Sequence, residues 1–122
     1  MKKGITFGAF DLFHAGHVLM MEEAKSVCDY LIVCLQTDPS IDRSEKNSPV
    51  QSILERQIQV EACKYVDEVI IYDTEEDVME ISNSIDWDVR ILGDEYKDKY
   101  FTGREEYLDK CYFNKRPHDF SS

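Results

Sequence analysis

The densest group of residues able to do chemistry is Gly8-Ala9-Phe10-Asp11-Leu12-Phe13-His14-Ala15-Gly16-His17. It follows a short apolar run and precedes residues at helical spacing. A loop between a strand and a helix offers backbone N–H groups and the positive end of the helix dipole to an anion. Gly8 permits a tight turn, and Gly16, lacking a side chain, lets a phosphate approach the backbone. His14 and His17 are three residues apart and can project toward one point. Two imidazoles there can donate hydrogen bonds to phosphate oxygens as charge builds up in phosphoryl or nucleotidyl transfer. Two other readings compete. Histidines at a helix start also cap or pack, and Asp11, His14 and His17 together are ligand types for Zn or Fe. No further motif completes a metal set, and a metal triad leaves the glycines without a purpose.

The elements that must position this loop follow from the hydrophobic pattern. Residues 3–7 read as a first strand, 17–27 as an amphipathic helix, and 30–35 as a continuous apolar strand covered on both faces. Residues 37–49, with Pro39, Pro49 and many polar residues, read as a loop. A helix near 53–64, a strand at 68–72, an acidic helix near 75–84, a strand at 89–92, a short helix at 104–110 and a last strand at 111–113 complete the chain. Strand–helix alternation at this spacing predicts an α/β domain: one parallel sheet of about five strands, doubly wound with helices on both faces, spanning 1–122. Ligands of such sheets sit at the strands' carboxyl ends, at the topological switch point. The loop after the first strand, the turn at Gly93-Asp94 and the residues after 113 are therefore expected to converge.

Composition limits the functions available. The 122 residues carry 14 Lys and Arg against 25 Asp and Glu, a formal charge of −11. That balance excludes bulk binding to nucleic acid or an anionic membrane, which needs a basic surface. No apolar run approaches the ~20 residues of a membrane span. The amino terminus has no signal-peptide core, so a cytoplasmic protein is expected. Cys28, Cys34, Cys63 and Cys111 form no Cys-x-x-Cys pair and read as reduced packing thiols.

The segment from Phe7 to His17 resembles the His-x-Gly-His signature of the nucleotidylyltransferase superfamily, in the G-x-F-D-x-x-H-x-G-H form of its cytidylyltransferase family. Cys28-Asp29-Tyr30-Leu31-Ile32-Val33, Thr37-Asp38, Tyr65-Val66-Asp67-Glu68-Val69-Ile70 and Leu92-Gly93-Asp94 are similar to blocks of the glycerol-phosphate branch, in order and spacing. The resemblance implies a Rossmann-like fold and transfer of CMP from CTP to a small alcohol or polyol phosphate, with release of pyrophosphate. It implies that Mg²⁺ travels with CTP rather than in a protein cage, and that the protein is a homodimer.

The resemblance also assigns residues. His14 and His17 stabilise the transition state, and Gly8, Ala9, Phe10, Asp11 and Gly16 contact the nucleotide. Lys46 closes over the phosphates from a flexible loop, Arg56 holds the β/γ-phosphates or a subunit contact, and Asp94 lines the nucleoside pocket. Arg116, Ser121 and Ser122 correspond to a phosphate-binding segment, with Asp119 where the family carries glycine. Members using glycerol phosphate carry a lysine near position 77, on the acidic helix; Asp77 stands there, so the acceptor differs or is anchored by another cation such as Lys97, Lys99 or Arg104. An adenylyltransferase of the same superfamily and a non-catalytic nucleotide-binding module are the rival readings.

Overall fold

The computed structural model describes residues 1–115; Arg116, Ser121 and Ser122 lie outside them. Five strands form one parallel sheet in the order β3-β2-β1-β4-β5: β1 Lys3–Gly8, β2 Tyr30–Gln36, β3 Glu68–Tyr72, β4 Val89–Leu92 and β5 Cys111–Phe113. Helices α1 Ala15–Ser26, α2 Pro39–Asp42, α3 Ile53–Glu61, α4 Glu75–Ser84 and α5 Arg104–Tyr107 connect them. The sheet order reverses between β1 and β4, which opens a crevice at their carboxyl ends.

Two apolar layers fix which side chains face which helices. Leu31, Val33, Leu35, Val89 and Ile91 pack with Met21 and Ala24 of α1 and Val60 of α3. Ile5, Ile32, Cys34 and Tyr72 pack on the other face, with Val78 of α4 and Trp87. Alternation along the strands does this directly, since successive residues point to opposite faces.

The structure departs from the sequence reading most clearly at the starts of two helices. Residues 39–42 form α2 inside the expected loop. Asp38 accepts hydrogen bonds from the Ser40 N–H at 2.9 Å and the Ser40 hydroxyl at 2.6 Å, and Pro39 occupies the first turn. Asp followed by Pro is a helix start as well as a turn. The first helix begins at Ala15 rather than at residue 17, because His14 caps it. All four cysteines are free thiols.

Candidate active site

The loop from Gly8 to His14 is held in a conformation that its residue types resist. Phe10 and Leu12 have φ of 48° and 50°, left-handed values that are costly for side chains with a Cβ. Bonds to the start of α3 hold them. Between the two strained residues, the Asp11 carboxylate accepts from the Val50 N–H at 2.7 Å and the Gln51 N–H at 3.0 Å, while the Leu12 N–H donates to Gln51 Oε1 at 2.9 Å. Burial raises the Asp11 pKa, but these N–H donors and the positive charge of Arg56 outweigh it and hold the carboxyl below its ordinary value. On the other side Phe10 enters the core, its ring 3.0 Å from where a Cβ on Gly8 would stand.

Arg56 completes the clamp. It is 1% exposed, and its guanidinium donates to the carbonyls of Ala9 at 3.0 Å, Gln36 at 2.5 Å, Thr37 at 2.5 Å and Gln51 at 3.2 Å. The expected phosphate clamp is therefore corrected: Arg56 does not line the cleft, and ties β1, β2 and α3 together beneath it.

The two histidines form a reciprocal cap. His14 Nδ1 accepts from the Gly16 N–H at 3.0 Å, and His17 Nδ1 accepts from the His14 N–H at 3.2 Å. Their ring centroids are 4.0 Å apart, and Phe13 stacks on His17 at 5.3 Å. The consequence is chemical. An imidazole accepting at Nδ1 carries its proton on Nε2, so both neutral rings present Nε2–H as donors. The backbone donors expected to face an anion are partly consumed by the imidazoles, which offer their own N–H groups instead. The same bonds weaken the metal-triad reading: both Nδ1 atoms and both Asp11 oxygens already have partners, and no group of three His, Cys, Asp or Glu among the described residues has the geometry to hold a metal.

Burial, and after it the coulombic influence of His14, pushes the His17 pKa down from 6.5 to about 4, against the opposing pull of Asp11. His17 is thus a neutral donor at pH 7. The folded value lies below the unfolded one, so the unfolded chain binds more protons between pH 6.5 and 4, and stability falls as pH is lowered through that window. An NMR titration of the imidazole nitrogens is expected to give a His17 midpoint near 4 with the proton on Nε2; a midpoint near 6.5 contradicts the cap geometry.

These residues line a cleft of about 910 Å³ across the carboxyl ends of the strands. Gly8, Ala9, Phe10, Asp11, His14, Gly16, His17 and Lys46 all reach it, as do Gly93 and Asn114, so the three expected segments do converge. Asp94 is corrected: it is exposed outside the cleft, while its neighbours Gly93 and Glu95 line it. Asp77 does not face the cleft either. Its carboxylate accepts from the N–H groups of Asp73 and Thr74, both at 3.0 Å, in the capping box of α4, and so does not line the acceptor space. Lys97, Lys99 and Arg104 are also outside, with the Arg104 guanidinium on the carbonyls of Tyr96, Lys97 and Lys99.

Glu23, Asn114 and Arg90 are among the lining residues that escaped the sequence reading. Glu23 accepts from the Tyr112 hydroxyl at 2.7 Å and the Lys115 N–H at 2.9 Å, fastening the chain after β5 to α1. Asn114 is 2% exposed, and its side-chain oxygen has no partner among the described residues. Arg90, 6% exposed on β4, also faces the cleft. A lone charge inside Val-Arg-Ile-Leu was the available signal, since arginine is rarely buried without a reason.

A five-stranded sheet in this order, with a histidine-capped helix at its switch point, defines a nucleotide-binding α/β domain of the nucleotidyltransferase class. Residues 5–118 match the family described as cytidylyltransferase-like, and the chain belongs to that family. The chain is 39% identical over 112 residues to the glycerol-3-phosphate cytidylyltransferase of Bacillus spizizenii, covering 92% of this chain and 85% of that one. It is 40% identical over 108 residues to the FAD synthase of Ferroglobus placidus, covering 88% and 66%. Among solved structures, a lipopolysaccharide core biosynthesis protein from Thermoplasma volcanium superposes with a TM-score of 0.75 at 25% identity, covering 93% of this chain and 95% of that one.

Proposed function

We propose that the protein transfers CMP from the Mg²⁺ complex of CTP to a small alcohol or polyol phosphate, releasing pyrophosphate. The observation that carries this reading is the pair of imidazoles lining the cleft, each accepting a backbone N–H at Nδ1 and so left with its proton on Nε2. Two neutral donors suit a phosphorane-like transition state, whose oxygens gain charge without a proton changing hands. An oxygen of the acceptor phosphate bonds to the α-phosphorus, and the bond from that phosphorus to the bridging oxygen breaks. Pyrophosphate leaves with the electron pair. His14 and His17 donate to oxygens of the phosphate chain, and Lys46 adds a mobile positive charge. Mg²⁺ would travel with the nucleotide phosphates, since it is usually held largely by phosphates and waters.

The glycerol-3-phosphate cytidylyltransferase relative supports CTP as donor, whereas the adenine dinucleotide in the name FAD synthase keeps ATP as the rival. Exposed Leu54 and Ile58 on α3 and Ile71 on the edge strand support a homodimer. The test is pyrophosphate release with each of the four nucleoside triphosphates and a pool of phosphate monoesters. CTP is expected to lead by a wide margin. A preference for ATP selects the adenylyltransferase reading, and nucleotide binding without pyrophosphate selects the binding module.

A further inference from the structure

The cleft has a second lobe, on the face of the sheet opposite α1. Arg90 pairs in register with Ile5, which belongs to the layer packed under α4, whereas its neighbours Val89 and Ile91 belong to the α1 layer. Its side chain therefore emerges among Phe7, Tyr72, Glu75, Phe101 and Thr102, all of which line the cleft. The guanidinium sits between two rings, 4.9 Å from the Phe7 centroid and 5.1 Å from that of Phe101. One nitrogen donates to the Thr102 carbonyl, and Nε is buried with no partner among the described residues. Among the described residues no carboxylate lies within ion-pair distance of it: the ion pairs there are Lys25–Asp67 and Arg43–Glu45. The nearest carboxylate by charge effect, Glu75, accepts from the Thr102 hydroxyl at 2.9 Å.

A buried cation without an anion is expensive, and aromatic faces offset only part of that cost. A guanidinium lodged between two rings, with donors left over from the Thr102 bond, is a fork matched to phosphate oxygens. The nucleotide phosphates belong with the imidazoles at the start of α1, on the other face. Arg90 thus has room for a second anion, and the reaction has one. We infer that Arg90 binds the phosphate of the acceptor and selects phosphate monoesters over uncharged alcohols, an assignment that rests on the transferase reading above. Two acceptor oxygens engage the fork while the third attacks the α-phosphorus and pyrophosphate leaves. The competing account makes Arg90 a strut that fastens the 94–103 connection to the sheet through Thr102.

Binding separates the two. Wild type, Arg90→Met and Arg90→Lys are titrated with CTP. Each is then saturated with the α,β-methylene analogue of CTP, which cannot transfer, and titrated with inorganic phosphate and with glycerol 3-phosphate. Arg90→Met is expected to weaken both phosphate probes by about 10-fold or more, with CTP affinity within twofold and an unchanged melting temperature. Arg90→Lys, which keeps the charge and can still reach Thr102, is expected to fall between them. The assignment is overturned if either probe binds Arg90→Met as it binds wild type, if neither binds wild type, or if CTP affinity and melting temperature fall alongside. Failure of wild type to bind CTP at all sinks the transferase reading itself, whereas intact CTP binding with indifferent phosphate probes sinks only Arg90.

Discussion

Replacing His17 with alanine is expected to lower kcat by about 10²–10³-fold while CTP affinity changes no more than a few-fold, the range found for loss of one preorganised donor at a developing negative charge. The asymmetry follows from where the donor acts. Nε2–H strengthens its bond as charge moves onto the phosphate oxygens, so its loss appears in the transition state rather than in the ground state. The ring is neutral across the usual assay range because its pKa sits at about 4, so a charge-pairing explanation, with its large effect on nucleotide affinity, does not apply. The alanine also frees the His14 N–H that Nδ1 accepts and exposes one face of Phe13. A drop of about 1 kcal/mol in folding stability is expected from the lost cap. Steady-state kinetics alongside equilibrium CTP titration checks both halves; equal losses in affinity and turnover would instead make His17 a ground-state ligand.

Arg56→Ala is expected to cost about 3–5 kcal/mol of folding stability, the scale for removing one member of a buried, fully bonded charged network. The change strips hydrogen bonds from four carbonyls, those of Ala9, Gln36, Thr37 and Gln51, and leaves a cavity between β1, β2 and α3. Ala9 directly precedes Phe10, the first of the two left-handed residues, so loosening its carbonyl frees the strained loop to relax. Urea unfolding followed by circular dichroism measures the loss. Arg56→Lys restores one charge and at most three donors without the fork, and is expected to recover less than half. A loss under about 1 kcal/mol, the level of an ordinary surface change, would mean that the guanidinium does not hold the loop.

Much of the architecture was legible because hydrophobic periodicity marks nearly every element, with glycines closing β1 and β4. The continuous apolar run in β2 could only be a strand covered on both faces, and Gly93 ends β4 as the pattern demands. Within the site, the spacing of His14 and His17 left capping, metal-binding and phosphate-binding readings open, and only the family resemblance chose among them. What periodicity cannot reveal is which polar group a side chain spends its donors on. Arg56 and Asp11 look like ligand-binding residues in sequence; in the fold Arg56 is committed to backbone carbonyls and Asp11 to backbone N–H groups, and together they build the loop. Asp77 looked like an obstacle to a phosphate and is a helix cap. Arg90 was passed over because a strand pattern of Val-Arg-Ile-Leu reads as core, and only the two faces of the folded sheet show that its charge meets the cleft. The net charge of −11 misleads in the same way, since the cleft's chemistry rests on two neutral imidazoles and a few local cations.

The claim that the imidazole pair serves nucleotidyl transfer from CTP is met most directly by following the α-phosphorus. Protein, Mg²⁺ and CTP labelled at the α-phosphate are incubated with and without a pool of phosphate monoesters. The label is predicted to move into a new cytidine diphosphate ester only when the pool is present, with one pyrophosphate released per product. Label that stays in CTP with every monoester, or that appears as free CMP independent of them, would contradict the account.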